Sequence, residues 1–213
     1  IRILDFLNEV GASYIFDITV PISEAERFET TSEQALATGM YAADMYYAHT
    51  FKRYDMVVTN ARIVDMLAAK LGILINFSKL ERIKFQEENT DSLKIMLQQT
   101  WEEFHVSVKE SDRPEIEALI FVGANIEWMY LLSQLTLYAR DNQAMIDYLS
   151  QKGEFARGLL NLLEIVAADE VVKPYYEKMK KVVSRNDENP QITVDNLRVF
   201  ADLIESIRNE LNQ

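Results

Sequence analysis

Between Ala118 and Ala139 the chain carries one charged residue, Glu127, in a run that is apolar on nearly every side. A segment this oily must lie inside something. Its length would suit a bilayer, but Asn125, Glu127 and Gln134 are a costly load for a membrane helix. It therefore reads as the central helix of a soluble domain, spanning Glu115 to Arg140 and opened by Asp112 and Pro114. The rest of the chain is poor in helix breakers, with 6 Gly and 4 Pro in 213 residues. Strand-rich folds need more turns than that, so the expected fold is all-α.

Helical spacing recurs along most of the sequence. Ile1 to Val10 reads as a helix stopped by Gly11. Tyr14 to Val20 is rich in β-branched and aromatic residues but has no partner strand, so it is expected to lie extended over helices. A long helix follows from Ser32 to Arg53, with Thr30 and Glu33, or Thr31 and Gln34, as a capping box. Its apolar stripe is Leu36, Met40, Ala43, Tyr47 and Phe51. Further helices are expected over Asp55 to Leu71, with Gly72 as the stop, then Ser78 to Glu88 and Asp91 to Lys109. Beyond the central helix come Ala144 to Gln151, Phe155 to Ala168 and Val171 to Arg185. Pro190 marks a loop, and Thr193 caps a last helix with the stripe Val194, Leu197, Ala201, Ile204, Ile207 and Leu211.

No linker divides these elements. Residues 1–213 are read as a single domain of packed antiparallel helices, with residues 1–30 forming a leading helix and an extended segment packed on the rest. A duplication is hinted at. Asp44 precedes Tyr47 by three positions, as Glu127 precedes Tyr130, and Gly39 and Gly123 stand shortly before each acid, out of register by one. Two helical halves related by a pseudo-twofold would produce that pattern.

Charge and cysteine content exclude several classes of function. The formal net charge is -12, which opposes a phosphate backbone, so no nucleic-acid partner is expected. The best basic patch, Lys173, Lys178, Lys180, Lys181 and Arg185, reads as the solvated face of one helix. There is no Cys, hence no disulfide, thiolate metal site or cysteine nucleophile. No phosphate-binding Gly-rich loop, nucleophile elbow or His-Glu-x-x-His sequence occurs. A ferritin-like dimetal site needs two Glu-x-x-His spacings; Glu102 to His105 supplies one, and Tyr46 stands where His49 would need its Glu. No metal or other cofactor is expected, and both histidines read as surface or helix-edge residues. Asn76-Phe77-Ser78 matches a glycosylation sequon, but Ser78 reads better as a helix cap. Trp101 with Phe104, and Tyr175 with Tyr176, read as core aromatics.

The notable residues are the two acids inside apolar helices. Asp44 lies on the shoulder of its stripe. Glu127 shares a face with Gly123, Tyr130, Gln134 and Tyr138. A buried carboxylate must be hydrogen-bonded, paired or protonated. One reading is structural: the acids tie helices together through Tyr, Arg or backbone partners. The other is functional: Asp44, Tyr47, Glu127, Tyr130 and Gln134 line a polar groove between two central helices and bind a ligand. The structural reading is favoured over the functional one.

Three segments add a resemblance. Thr38 to Ala48 (TGMYAADMYYA) is similar to the GVYGADLSYA-like signature of a family of exported, all-helical lipoproteins of Bacteroidetes. Val122 to Tyr130 (VGANIEWMY) resembles that family's GGWIEGLY stretch, and Leu67 to Ile73 (LAAKLGI) its LADELGI segment. The pattern covers residues 11–135. It departs at Asn125 and Trp128, where the family has Trp and Gly, a change that would reshape any pocket there. The resemblance implies a helical fold and export to the periplasm or cell envelope, and it implies no reaction. It also implies that a lipid-bearing Cys precedes Ile1, the chain itself not spanning the membrane. The expected function is a non-enzymatic envelope domain for binding or scaffolding, its partner an unknown small ligand or envelope protein. Two alternatives stay open: a carboxylate-based hydrolase using the same acids, and a structural protein that oligomerises through helix faces.

Overall fold

In a computed structural model of the chain, described over residues 2–77, 90–139, 143–167, 170, 172–188 and 192–211, the fold is all-helical. Among these residues eight α-helices occur: α1 (Arg2–Glu9), α2 (Thr31–Thr50), α3 (Tyr54–Lys70), α4 (Thr90–Glu110), α5 (Pro114–Tyr138), α6 (Gln143–Val166), α7 (Lys173–Glu188) and α8 (Val194–Leu211). A single 3₁₀ turn at Ile22–Glu24 lies between α1 and α2.

Local chemistry sets the helix ends. α1 stops where Gly11 takes φ +65°, a left-handed conformation that costs glycine little, and Ala12 N–H reaches back to Leu7 O at 3.1 Å. Gly72 ends α3 the same way, at φ +76°. α2 opens on the Thr30 capping box: Glu33 N–H donates to Thr30 Oγ1 at 3.3 Å and Thr30 N–H to Glu33 Oε2 at 2.9 Å. The alternative box is not used, because Gln34 donates its side-chain amide to Phe28 O and Glu29 O. α5 opens on Pro114, whose missing N–H would have no helical partner there.

α2 and α5 form the centre. α2 packs most extensively on α5 and α3, while α5 also carries α6 and α8, and α7 lies on α6. Short turns make α2–α3 a helical hairpin. α2 is buried on every side from Ala35 to Met45, so its apolar face is a full circumference rather than the stripe expected from the sequence. α5 is the one helix among the described residues long and apolar enough to cross a membrane, and 72% of its most apolar window is buried inside the fold. That burial is what a central helix requires.

The two central helices touch backbone to backbone. A Cβ built on Gly39 would stand 2.0 Å from Ile120 O, and one on Gly123 would stand 2.0 Å from Leu36 O. The contact is reciprocal: each glycine meets the carbonyl three residues before the other. Leu36 and Ile120 are 84 positions apart, as are Gly39 and Gly123.

Three expectations need correction. The separate helices Ala144 to Gln151 and Phe155 to Ala168 are one continuous α6, running through Gly153; a glycine inside a helix costs only about 1 kcal/mol, which packing can override. Val194 is 66% exposed, so the buried stripe of α8 begins at Leu197. His49 is buried rather than at an edge, because α2 has no solvated face at that level. The helix expected over Ser78 to Glu88, including the cap at Ser78, and the loop at Pro190 lie outside the described residues.

Candidate functional site

Both acids are carried into the interior. Asp44 and Glu127 are each 0% exposed. They stand on the same side of the glycine crossing, five residues past Gly39 and four past Gly123. Crossing helices bring residues at that distance together, close enough that the charge of Glu127 acts on Asp44.

A third helix supplies the compensating charge. Arg208 of α8 forks onto Glu127, with Nε 2.6 Å from Oε2 and Nη2 2.8 Å from Oε1. The same Nη2 donates to Ile18 O at 3.2 Å, and the guanidinium lies 4.1 Å from the centre of the Tyr130 ring. A bidentate fork over an aromatic face is the arrangement in which Arg tolerates desolvation best. Asp44 uses Oδ2 to accept Val20 N–H at 2.9 Å, while its Oδ1 meets no N–H or hydroxyl donor among the described residues.

The electrostatics follow from this geometry. Burial raises the Asp44 carboxyl well above the usual carboxylate range, and the neighbouring Glu127 raises it further; the Val20 N–H and Arg208 oppose this only in part. Burial also raises Glu127, but Arg208 acts in the other direction through charge and hydrogen bonds. For Arg208 burial disfavours the charge, yet Glu127 outweighs it and holds the guanidinium more firmly protonated. The arrangement with a proton on Asp44, a charge on Glu127 and a charge on Arg208 is neutral overall. That is the state a dry interior favours.

The non-helical segment spanning residues 12–21, which turns at Phe16 and Asp17, closes the site. It has no strand partner, and side chains satisfy its main chain instead. Ile15 N–H donates to Tyr47 Oη at 2.9 Å and Tyr47 Oη donates to Ile15 O at 3.3 Å. Arg208 takes Ile18 O, Asp44 takes Val20 N–H, and Tyr41 Oη donates to Pro21 O at 2.9 Å. Ile18 and Val20 bury their side chains, whereas Phe16 is 63% exposed. Asp17 at φ +66° turns the chain between them.

The expected residues are therefore divided. Asp44, Glu127 and Tyr130 come together. Tyr47 lies one turn beyond Asp44, bonded to Ile15 and stacked on Tyr14 with ring centres 5.0 Å apart. Gln134 is half-buried and Tyr138 is 73% exposed, so the polar strip of α5 runs outward from the acid centre to the surface. Residues 12–21 cover the acids, bonded to side chains of α2 and α8. A hydrolase acting through these acids would need a substrate atom within reach of both, and in this conformation both are 0% exposed.

Arg208 is the residue that reading the sequence missed. The signal was present, since Ala201, Ile204, Arg208 and Leu211 continue the 3-4 spacing of the apolar stripe. A cation at a core position asks for a buried anion.

Elsewhere, His105 Nδ1 lies 3.7 Å from Glu117 on α5, beside Trp101 and Phe121. No group of three side chains able to hold a metal gathers among the described residues. The described lysines of the basic patch lie on α7, with Lys173, Lys178 and Lys180 paired to Glu170, Glu210 and Glu177. An open cleft of about 460 Å³ lies between α6 and the start of α8, lined by Gln143, Asp147, Ser150 and residues 192–195, away from the acid centre. Comparison with protein-family models, curated proteins and solved structures finds no match to this chain.

Proposed function

We propose that this chain is a non-enzymatic binding or scaffolding domain of the cell envelope, and that its α2–α5–α8 face holds extended polypeptide. One observation carries the reading: Tyr41, Asp44, Tyr47 and Arg208, from two helices, all hydrogen-bond main-chain groups of one non-helical segment. Recognition of main chain by fixed side chains leaves the sequence of the bound segment free at exposed positions such as Phe16. In the isolated chain the occupant is residues 12–21, and a partner's extended segment would take the same bonds. The resemblance to exported helical lipoproteins supports the envelope location.

The test uses the full chain with Val20→Pro, which deletes the N–H donated to Asp44 and weakens the built-in occupant. A fluorescent peptide with the sequence of residues 12–21 should bind this variant, by anisotropy, at least tenfold more tightly than it binds the wild type. Adding Tyr47→Phe should weaken that binding. A folded Val20→Pro chain that ignores the peptide would remove the binding surface. Recovery of the tagged protein in the cytoplasmic fraction of cells that make it would remove the envelope assignment.

A further inference from the structure

We propose that Asp44 is a proton-operated latch on residues 12–21: protonated, it closes this segment over the helices, and ionised, it lets the segment lift. The proposal concerns the segment that covers the acids, and it is measured without any partner. It can therefore fail while peptide capture succeeds, and the reverse.

The geometry is an imbalance of charge at a three-way junction. The segment presents the Val20 N–H and, farther along, the Tyr14 hydroxyl. α5 presents Glu127, α8 presents Arg208, and α2 itself adds Tyr41 and Tyr47 beside Asp44. Two carboxyls thus face one guanidinium, which is already committed to Glu127 through two bonds. Removing the proton from Asp44 leaves one negative charge in excess in a site that excludes water. Such a charge is costly until water reaches it.

What yields is decided by how each wall is held. The helices cannot part, because α2 and α5 are in backbone contact at Gly39 and Gly123. Residues 12–21 have no ladder, are held by hydrogen bonds to side chains of α2 and α8 and by the buried Ile18 and Val20, and carry left-handed residues before them at Gly11 and within them at Asp17. Lifting this segment is the least disruptive way to hydrate Asp44.

Hydrogen exchange of the full-length protein between pH 5 and pH 9, corrected for the intrinsic rate, tests the latch. The Ile15 and Val20 amides should open more as pH rises, approaching tenfold per pH unit while Asp44 ionises, with α5 amides such as Leu131 unaffected. Burial also raises Tyr14, Tyr41 and Tyr47, so their ionisation lies above this range. Asp44→Asn copies the uncharged acid, keeps an oxygen to accept from Val20, and should abolish the pH dependence with the segment closed. Glu127→Gln removes the excess charge differently, since Asp44 can then ionise against Arg208, and should also flatten the profile. Pre-exchange protection of Val20 that is independent of pH in the wild type would overturn the latch. So would a pH dependence that persists in either variant, or opening shared equally by α5.

Discussion

Gly39 and Gly123 face each other's helix so closely that each α-carbon lies over the carbonyl oxygen three residues before the other glycine, leaving no room for a methyl group on either side. Backbone atoms, unlike flexible side-chain tips, cannot move aside one at a time. Gly39→Ala and Gly123→Ala should therefore each destabilise the fold by about 3 kcal/mol, the upper range for an overpacked core. The double variant should cost less than the sum, because the first methyl already separates the helices. Urea unfolding followed by far-ultraviolet circular dichroism gives all three values.

Arg208→Met keeps much of the side-chain volume and removes the charge. It strands Glu127 with no cation, and a buried pair broken on one side costs about 3–5 kcal/mol. Arg208→Met with Glu127→Gln should recover a large part of that loss. Equal destabilisation of the single and double variants would mean that packing of the Arg208 stem, not its charge, holds α8 in place.

Tyr47→Phe deletes one hydroxyl that serves both main-chain groups of Ile15. The expected cost is about 1–2 kcal/mol, with the Ile15 amide losing exchange protection. Tyr41→Phe removes a bond to the carbonyl of exposed Pro21, where water can substitute, and should cost less. A larger effect from Tyr41 would reverse the assignment of Tyr47 as the main clasp.

Stability should peak on the acid side of neutrality. The Asp44 carboxyl is raised by burial first and by Glu127 second, so its stabilising contribution is fully present below about pH 4, the ordinary carboxylate value, and is lost as pH rises through its raised value. Glu33 acts in the opposite sense. Backbone hydrogen bonds in the capping box lower it, so its contribution is present above the ordinary value and lost as pH falls through the lowered one. Denaturant midpoints at pH 5.5 and pH 8 should show the wild type stronger at the lower pH, with a slope of up to ~1.4 kcal/mol per pH unit. Asp44→Asn should show little difference between the two.

Much of the architecture was legible because local signals agreed. Thr30 with Glu33, Gly11, Gly72 and Pro114 place helix ends within a residue or two, whereas the extended reading of Tyr14 to Val20 missed the turn at Phe16 and Asp17. The break placed between Gln151 and Phe155 is absent because one glycine there, Gly153, costs a helix little. His49 misled because α2 is surrounded, and periodicity shows which face is apolar but not how many neighbours a helix has. At the candidate site the acids could be found from the oddity of charge in an oily helix. Their partner could not be paired from sequence, since Arg208 lies 81 positions from Glu127 and 190 from Ile18. Nor does spacing reveal that the acids are covered by the chain's own segment, which depends on how α2, α5 and α8 meet in space.

The sequence distance between Glu127 and Arg208 bears on the order of assembly. During synthesis the α2–α5 pair emerges long before α8, with both acids present and their cation still to be made. Until then the pair is best kept apart or wet, because closing it dry would bury an unmatched negative charge. The nascent polypeptide thus carries its own reason to delay collapse, and the late arrival of one guanidinium permits the interior to dry.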